Sequence, residues 1–207
     1  RAEQLRGAGP GPGVAVAELL GDFSSEVAGA GRQMLLLIED IVLWARLRTG
    51  AQPAFSAHAV DRLVTPVVTL HLPLAARRGV TFVVDVPVAL AAWTDLVLAQ
   101  TMVRNLVGNA VKFARSRVDV TARAEANAVR ITVCDDGPGL PAAVRARLRG
   151  EAAVEESEVG GMGLRLSQEI GATLGARIEA SELAAGGTAM SVIFQALSAE
   201  PTAGAGA

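Results

Sequence analysis

Asn105, Asn109 and Lys112 lie four and three residues apart within Asp95 to Ala114, a segment whose composition and periodicity read as one long helix. At 100° per residue the three side chains fall within a sector of roughly 60°. The rest of the segment presents Met102, Val103, Leu106, Ala110 and Phe113. Such a helix buries one side and keeps a polar edge beside the buried surface. Asparagine is a mediocre helix former, so two of them one turn apart beside an apolar stripe call for a reason. Their carbonyl oxygens can complete a magnesium shell otherwise filled by water and phosphate, because that ion takes hard oxygen ligands and keeps few protein contacts. On this segment alone, a solvated helix face accounts for the same residues equally well.

The flanking sequence sets the fold class. Val80 to Val86 (VTFVVDV) is rich in β-branched residues and reads as a strand. Further strands are predicted over about Arg117 to Ala124, Ala128 to Cys134, Arg177 to Ser181 and Thr188 to Gln195. Helices are predicted over about Val60 to Ala76 and Gly163 to Leu174, with Thr94 as a cap for the helix that begins at Asp95. Strands and helices come in runs, so a sheet covered on one face by helices is expected, an α+β arrangement.

Upstream, Gly7 to Gly13 is too rich in glycine and proline to hold a helix. Val14 to Ala28 and Arg32 to Arg48 favour helix, and a break at Gly29 and Gly31 predicts an antiparallel hairpin. In the second helix Met34, Leu37, Ile38, Ile41, Trp44 and Ala45 make one apolar stripe, and Leu35, Leu36, Val42 and Leu43 make the opposite side apolar too. Two such hairpins can cover each other as a four-helix bundle, which predicts a homodimer through residues 14–48. The domain boundaries expected are 1–50 for the helical hairpin and 51–196 for the second domain, with a disordered tail over 197–207.

Composition narrows the partners. The 207 residues carry 19 basic and 21 acidic side chains, a formal charge of -2, so no global field favours nucleic acid or an anionic membrane. Any anionic ligand must be held locally. A single cysteine, Cys134, excludes an internal disulfide and fits a reducing compartment. The longest apolar stretch, Met34 to Ala45, is interrupted by Glu39 and Asp40 and is far shorter than the roughly 20 residues that span a bilayer. The expectation is a cytoplasmic segment of a longer chain, without membrane contact.

Three more clusters sit at the ends of predicted elements. Asp135-Asp136-Gly137-Pro138-Gly139 follows a strand: Asp135 can accept a hydrogen bond from an exocyclic amine, and the glycines let the backbone approach a flat ring. An ordinary turn uses the same residues. Gly160-Gly161-Met162-Gly163-Leu164 opens a helix whose free amides can hold phosphate oxygens, or serves as a flexible loop and cap. Gly186-Gly187-Thr188 precedes the last strand and can bring a hydroxyl to the same phosphates; a plain hairpin turn explains it almost as well.

The order of the four clusters resembles the ATP-binding domain of sensor histidine kinases and their gyrase, Hsp90 and MutL relatives. NLVGNAVKFA (Asn105 to Ala114) is similar to the histidine kinase N box, DDGPGL (Asp135 to Leu140) to the first glycine box and GGMGLRLS (Gly160 to Ser167) to the second. LLLIEDIVLWARLRTG (Leu35 to Gly50) resembles the second helix of the dimerisation and phosphotransfer hairpin. The resemblance covers about residues 14 to 196. It implies a Bergerat-type α/β sandwich that holds ATP between the asparagine helix and the glycine loops. Asp135 would read the adenine amino group, and Gly137 and Gly139 would shape the ring's slot. Asn109, with Asn105 beside it, would hold Mg2+, and Lys112 would neutralise phosphate charge. Gly161 and Gly163 would carry the phosphate-binding lid with Leu164, and Thr188 would border the base and its phosphates. The implied activity is transfer of the γ-phosphoryl group to a histidine, for relay to an aspartate of a response regulator's receiver domain.

The sequence departs from that pattern in three places. The counterpart of the acceptor motif is Glu3-Gln4-Leu5-Arg6, which puts Glu3 where the histidine belongs. His58 and His71, the two histidines present, lie downstream of the hairpin, so either the acceptor segment is outside this sequence or the protein lacks one. Arg165 stands where many relatives keep a glycine, and Arg149 to Val159 is short, acidic and without phenylalanine. A non-catalytic module, a pseudokinase or scaffold that binds a receiver domain, is therefore the second reading. A gyrase- or Hsp90-type ATPase ranks below both, because Asn105 stands where its glutamate base is wanted and cannot take a proton from water at neutral pH.

Overall fold

The computed structural model describes residues 12–142, 144, 145, 162–184 and 186–196. The predicted tail, Glu3 with its neighbours, and Arg149 to Val159 lie outside these. The chain divides into two compact units between Ala45 and Arg46, inside a helix rather than at Gly50.

That helix, α1 (Pro12–Arg48), runs for 37 residues without interruption. It corrects two expectations. The break at Gly29 and Gly31 does not occur, because each glycine costs a helix only about 1 kcal/mol relative to alanine and no proline or polar turn cluster adjoins them. The helix also starts inside the glycine-proline run, with Pro12 at its first position, where the missing amide hydrogen costs no helical bond. Met34, Leu35, Ile38, Ile41 and Val42 are all exposed along it.

The second unit begins with β1 (Ser56–Ala59), α2 (Val60–Arg77), β2 (Thr81–Asp85), β3 (Ala91–Thr94) and α3 (Leu96–Phe113). It continues with β4 (Arg117–Glu125), β5 (Ala128–Asp135), α4 (Met162–Leu174), β6 (Arg177–Glu182) and β7 (Thr188–Gln195). Five strands form one sheet in the order β2-β4-β5-β7-β6, with β2 parallel to β4 and every other pair antiparallel. β1 and β3 pair separately as an antiparallel ribbon. The sequence reading missed this ribbon: its strands are alanine-rich and only four residues long, and each finds its partner more than thirty residues away.

Alternation along the central strands places Val118, Val120 and Ala122 of β4 in the core with Val129, Ile131 and Val133 of β5. Met190, Val192 and Phe194 of β7 join the same core. Leu63 and Val64 of α2, Met102, Leu106 and Val107 of α3 and Leu166 and Ile170 of α4 complete it. Phe113, expected among the apolar residues of α3, is instead exposed at the end of the helix. The opposite face of the sheet is polar: Arg130 pairs with Glu125 and Glu179, and the Thr132 and Ser191 hydroxyls meet at 2.9 Å. Cys134 lies on that face, half-buried, and burial pushes its thiol pKa up, which makes it a poor nucleophile.

The cap of α3 is Asp95, not Thr94. Asp95 Oδ1 accepts from the amides of Val97 (3.0 Å) and Leu98 (3.1 Å), and its Oδ2 accepts from Ala54 N at 2.8 Å. Thr94 is still strand, paired with Ser56, and its buried hydroxyl has no hydrogen-bond partner among the described residues.

Candidate functional site

Two of the four clusters expected from the sequence meet where the sheet's strands end. Asp135 closes β5 directly opposite Thr188, the first residue of β7, and Thr188 in turn faces Glu182 at the end of β6. Asp135 is 7% exposed and Thr188 5%. The Asp135 carboxylate accepts a hydrogen bond from Gly137 N (2.9 Å), and the backbone amide of Thr188 lies close enough to favour its charged form. Burial raises its pKa above the ordinary carboxylate value, an effect the two amides partly offset. A carboxylate has about four acceptor positions, so the nearby amides leave capacity for a further donor.

Glycine is dictated at two positions here. A Cβ on Gly137 would lie 2.5 Å from Phe113 O, the last carbonyl of α3, and 2.6 Å from Asp135 Oδ1. A Cβ on Gly187, whose φ is +99°, would lie 2.0 Å from Asp135 O. The backbone therefore passes against Asp135 on both sides. Gly139 completes the loop and lies beside the Glu182 carboxylate and the Gly187 carbonyl.

Asp136, which sequence reading left without a role, fixes this loop to the start of β4. Its carboxylate accepts from Arg115 N (2.8 Å), Ser116 N (3.1 Å), Arg117 N (3.2 Å) and Ser116 Oγ (2.6 Å). The Ser116 hydroxyl, then the surrounding amides, hold its pKa far below the usual carboxylate range. Nothing in the sequence signals the interaction, since the donors lie about twenty residues upstream.

On α3, Asn105 Nδ2 donates to Gly163 O and to Ser167 Oγ, both at 3.0 Å. Asn105 is thus first a tether for α4, with its carbonyl oxygen still available as an acceptor. Ser167, fully buried, is a partner that the sequence did not reveal. The Asn109 side chain, one turn along and half-buried, makes no hydrogen bond among the described residues. Lys112 is exposed, with its ammonium 5.2 Å from the Phe113 ring and no carboxylate partner among the described residues. Gly163 lies in the first turn of α4, so close to Asn105 that a Cβ would come within 3.1 Å of its Oδ1. Leu164 is 6% exposed and its side chain belongs to the core, which leaves only its backbone to meet a ligand. Gly161 lies outside the described residues. Asp135, Gly137, Gly139 and Thr188 thus form one cluster and Asn105 with Gly163 another, and α3 joins the two.

A shallow cleft of about 260 Å³ lies apart from these clusters, between α4 and β6, lined by Gln168, Gly171, Ala176, Arg177, Ile178 and Glu179. It contains none of the residues singled out from the sequence.

A mixed sheet with helices on one face, and an Asp-x-Gly-x-Gly loop and a Gly-Gly-Thr turn meeting beside an asparagine helix, is the fold of histidine kinase ATP-binding domains. The family model described as histidine kinase-, DNA gyrase B- and HSP90-like ATPase matches residues 94–198, and the chain belongs to that family. Among relatives, the virulence sensor histidine kinase PhoQ of Salmonella typhimurium is 28% identical over 139 residues, covering 66% of this chain and 28% of PhoQ. The sensor histidine kinase AruS of Pseudomonas aeruginosa is 31% identical over 175 residues, covering 73% of this chain and 17% of AruS. The chain therefore spans less than a third of either relative. Full-length ShkA, solved in complex with AMPPNP, shares the fold with a TM-score of 0.66 at 24% identity, over 87% of this chain and 40% of ShkA.

Proposed function

We propose that the second unit binds Mg-ATP and presents its γ-phosphoryl group to a histidine, as the ATP-binding part of a two-component sensor kinase. The observation that carries this reading is the arrangement about Asp135. A buried carboxylate with spare acceptor capacity is flanked by backbone that no side chain can enter, at the end of the helix bearing Asn109 and Lys112.

Asp135 would accept the exocyclic amine of adenine, and Gly137, Gly139 and Thr188 would border the ring. Asn109, with the carbonyl oxygen of Asn105, would hold Mg2+, which when bound neutralises charge on the phosphates. Both asparagines offer the hard oxygen donors that the ion takes, and neither oxygen is engaged in a hydrogen bond among the described residues. Lys112 would add a point charge beside the phosphates, and the first-turn amides of α4 at Gly163 and Leu164 would receive phosphate oxygens. Phosphoryl transfer needs mainly positioning and charge neutralisation, and these groups offer both.

The acceptor is a histidine other than the two in this chain. His58 lies in the β1-β3 ribbon, 2.7 Å from Ser56 Oγ, and His71 is half-buried in α2 with its Nδ1 bonded to Val67 O. The exposed apolar residues of α1 support pairing with a second copy through residues 14–48, in the cytoplasm, with a receiver domain as the downstream partner. Among the described residues no helix is long and apolar enough to cross a membrane.

Calorimetry with ADP tests the binding half of this reading. Asn109→Ala should weaken binding chiefly in the presence of Mg2+; equal loss without the metal removes its metal role. Incubation of the full-length protein with labelled ATP tests the transfer half and should give acid-labile phosphate. Without it, the chain is a nucleotide-binding, non-catalytic scaffold.

A further inference from the structure

The row of residues at the sheet's end does not stop at Asp135 and Thr188. Register carries it across one more strand to Glu182, on the same face of the sheet and about 10 Å from Asp135 by two strand spacings. The Glu182 carboxylate is close to Gly139, where an added Cβ would come within 3.5 Å of its Oε1. Across from it, Arg145 Nη1 donates to the same Oε1. Arg145 follows a turn at Pro141, whose carbonyl accepts from both Val144 N and Arg145 N. The pair therefore ties the segment after the Asp135–Gly139 loop to the hairpin that carries Gly187 and Thr188. Both side chains keep substantial exposure, 33% for Arg145 and 50% for Glu182, so the pair adds little to stability. Its consequence is electrostatic. Each member cancels the charge of the other at the open side of a slot proposed to take a polyanion.

We propose that Arg145 and Glu182 form a charge-balanced rim of the nucleotide slot, in which Glu182 sets the affinity for the phosphorylated ligand by neutralising Arg145. This rests on the nucleotide-binding reading above. The two single substitutions then act in opposite directions. Arg145→Gln leaves a bare carboxylate beside the slot and repels ADP, whereas Glu182→Gln leaves a bare guanidinium and attracts it. A unit charge within about one Debye length of the phosphates, screened at moderate salt, changes the affinity of a multiply charged ligand by about threefold, and by more at low salt. Two residues that merely held the loop in shape would give losses of the same sign.

Titration calorimetry with ADP and with adenosine, at low and moderate salt, tests the proposal. Arg145→Gln should weaken ADP by about threefold or more and Glu182→Gln should tighten it by a similar factor. The double variant and Arg145→Lys should lie near wild type, and adenosine affinity should stay flat throughout. Thermal melts establish that each variant is folded. Shifts of the same sign for the two single variants, no shift beyond about twofold, or parallel changes in adenosine affinity overturn it. If wild type binds neither ADP nor adenosine, the nucleotide-binding reading itself fails and takes this inference with it. Normal wild-type binding with unresponsive variants removes the rim alone.

Discussion

Asp135→Asn separates the recognition role of this residue from its structural one. In the folded protein the carboxylate accepts from Gly137 N, with the Thr188 amide close by, while 7% exposed. The asparagine carbonyl oxygen can take the place of Oδ1 and keep the bond from Gly137 N, so the loop is held as before. Removing a carboxylate that burial disfavours should leave stability at neutral pH unchanged or slightly raised, within about 1 kcal/mol. The amide nitrogen must then occupy the other position and faces the adenine amine donor to donor. A hydrogen bond to a charged group contributes about 1.5–3 kcal/mol, so ADP affinity should fall roughly 10- to 100-fold with the melting temperature held. Titration calorimetry beside thermal melts measures both. The pH dependence has a definite sign. The folded pKa is raised, so the native state binds the extra proton, and wild-type stability falls as pH rises from about 3.9, the unfolded value, through the folded value. The stability advantage of Asp135→Asn should grow over that window and then level off. ADP affinity within about threefold of wild type, at unchanged melting temperature, refutes the placement of the base.

Asp136→Ala should behave in the opposite sense, losing about 2–3 kcal/mol at neutral pH because three amides and a hydroxyl lose a shared acceptor. Its depressed folded pKa means that the wild-type contribution is present above about pH 4 and lost on acidification, so denaturant melts of the two proteins should converge at low pH. Gly187→Ala should cost at least about 2–3 kcal/mol, from positive-φ strain and the overlap with Asp135 O, and should abolish ADP binding in the same titration. Asn105→Ala frees Gly163 O and Ser167 Oγ and should lower stability by about 1–2 kcal/mol, with faster amide exchange at the start of α4. Asn109→Ala should leave that exchange unchanged.

Much of this protein follows from local chemistry. Alternation in Ala128 to Cys134 fixes a strand with one buried face, and the spacing of Asn105, Asn109 and Lys112 fixes one edge of a helix, because both depend only on side-chain direction along a regular backbone. The order of the glycine clusters was enough to give the family. What the sequence did not show depends on contacts between distant segments. The β1-β3 ribbon and the choice of Asp95 over Thr94 as a cap each turn on competing local preferences of about 1 kcal/mol, which neighbouring structure decides. The commitment of Asn105 to α4, the anchoring by Asp136 and the pairing of Glu182 with Arg145 join residues 19 to 62 positions apart. A hydrogen bond leaves no periodic trace in a chain when its donor and acceptor lie on different elements, so only the folded arrangement could reveal them.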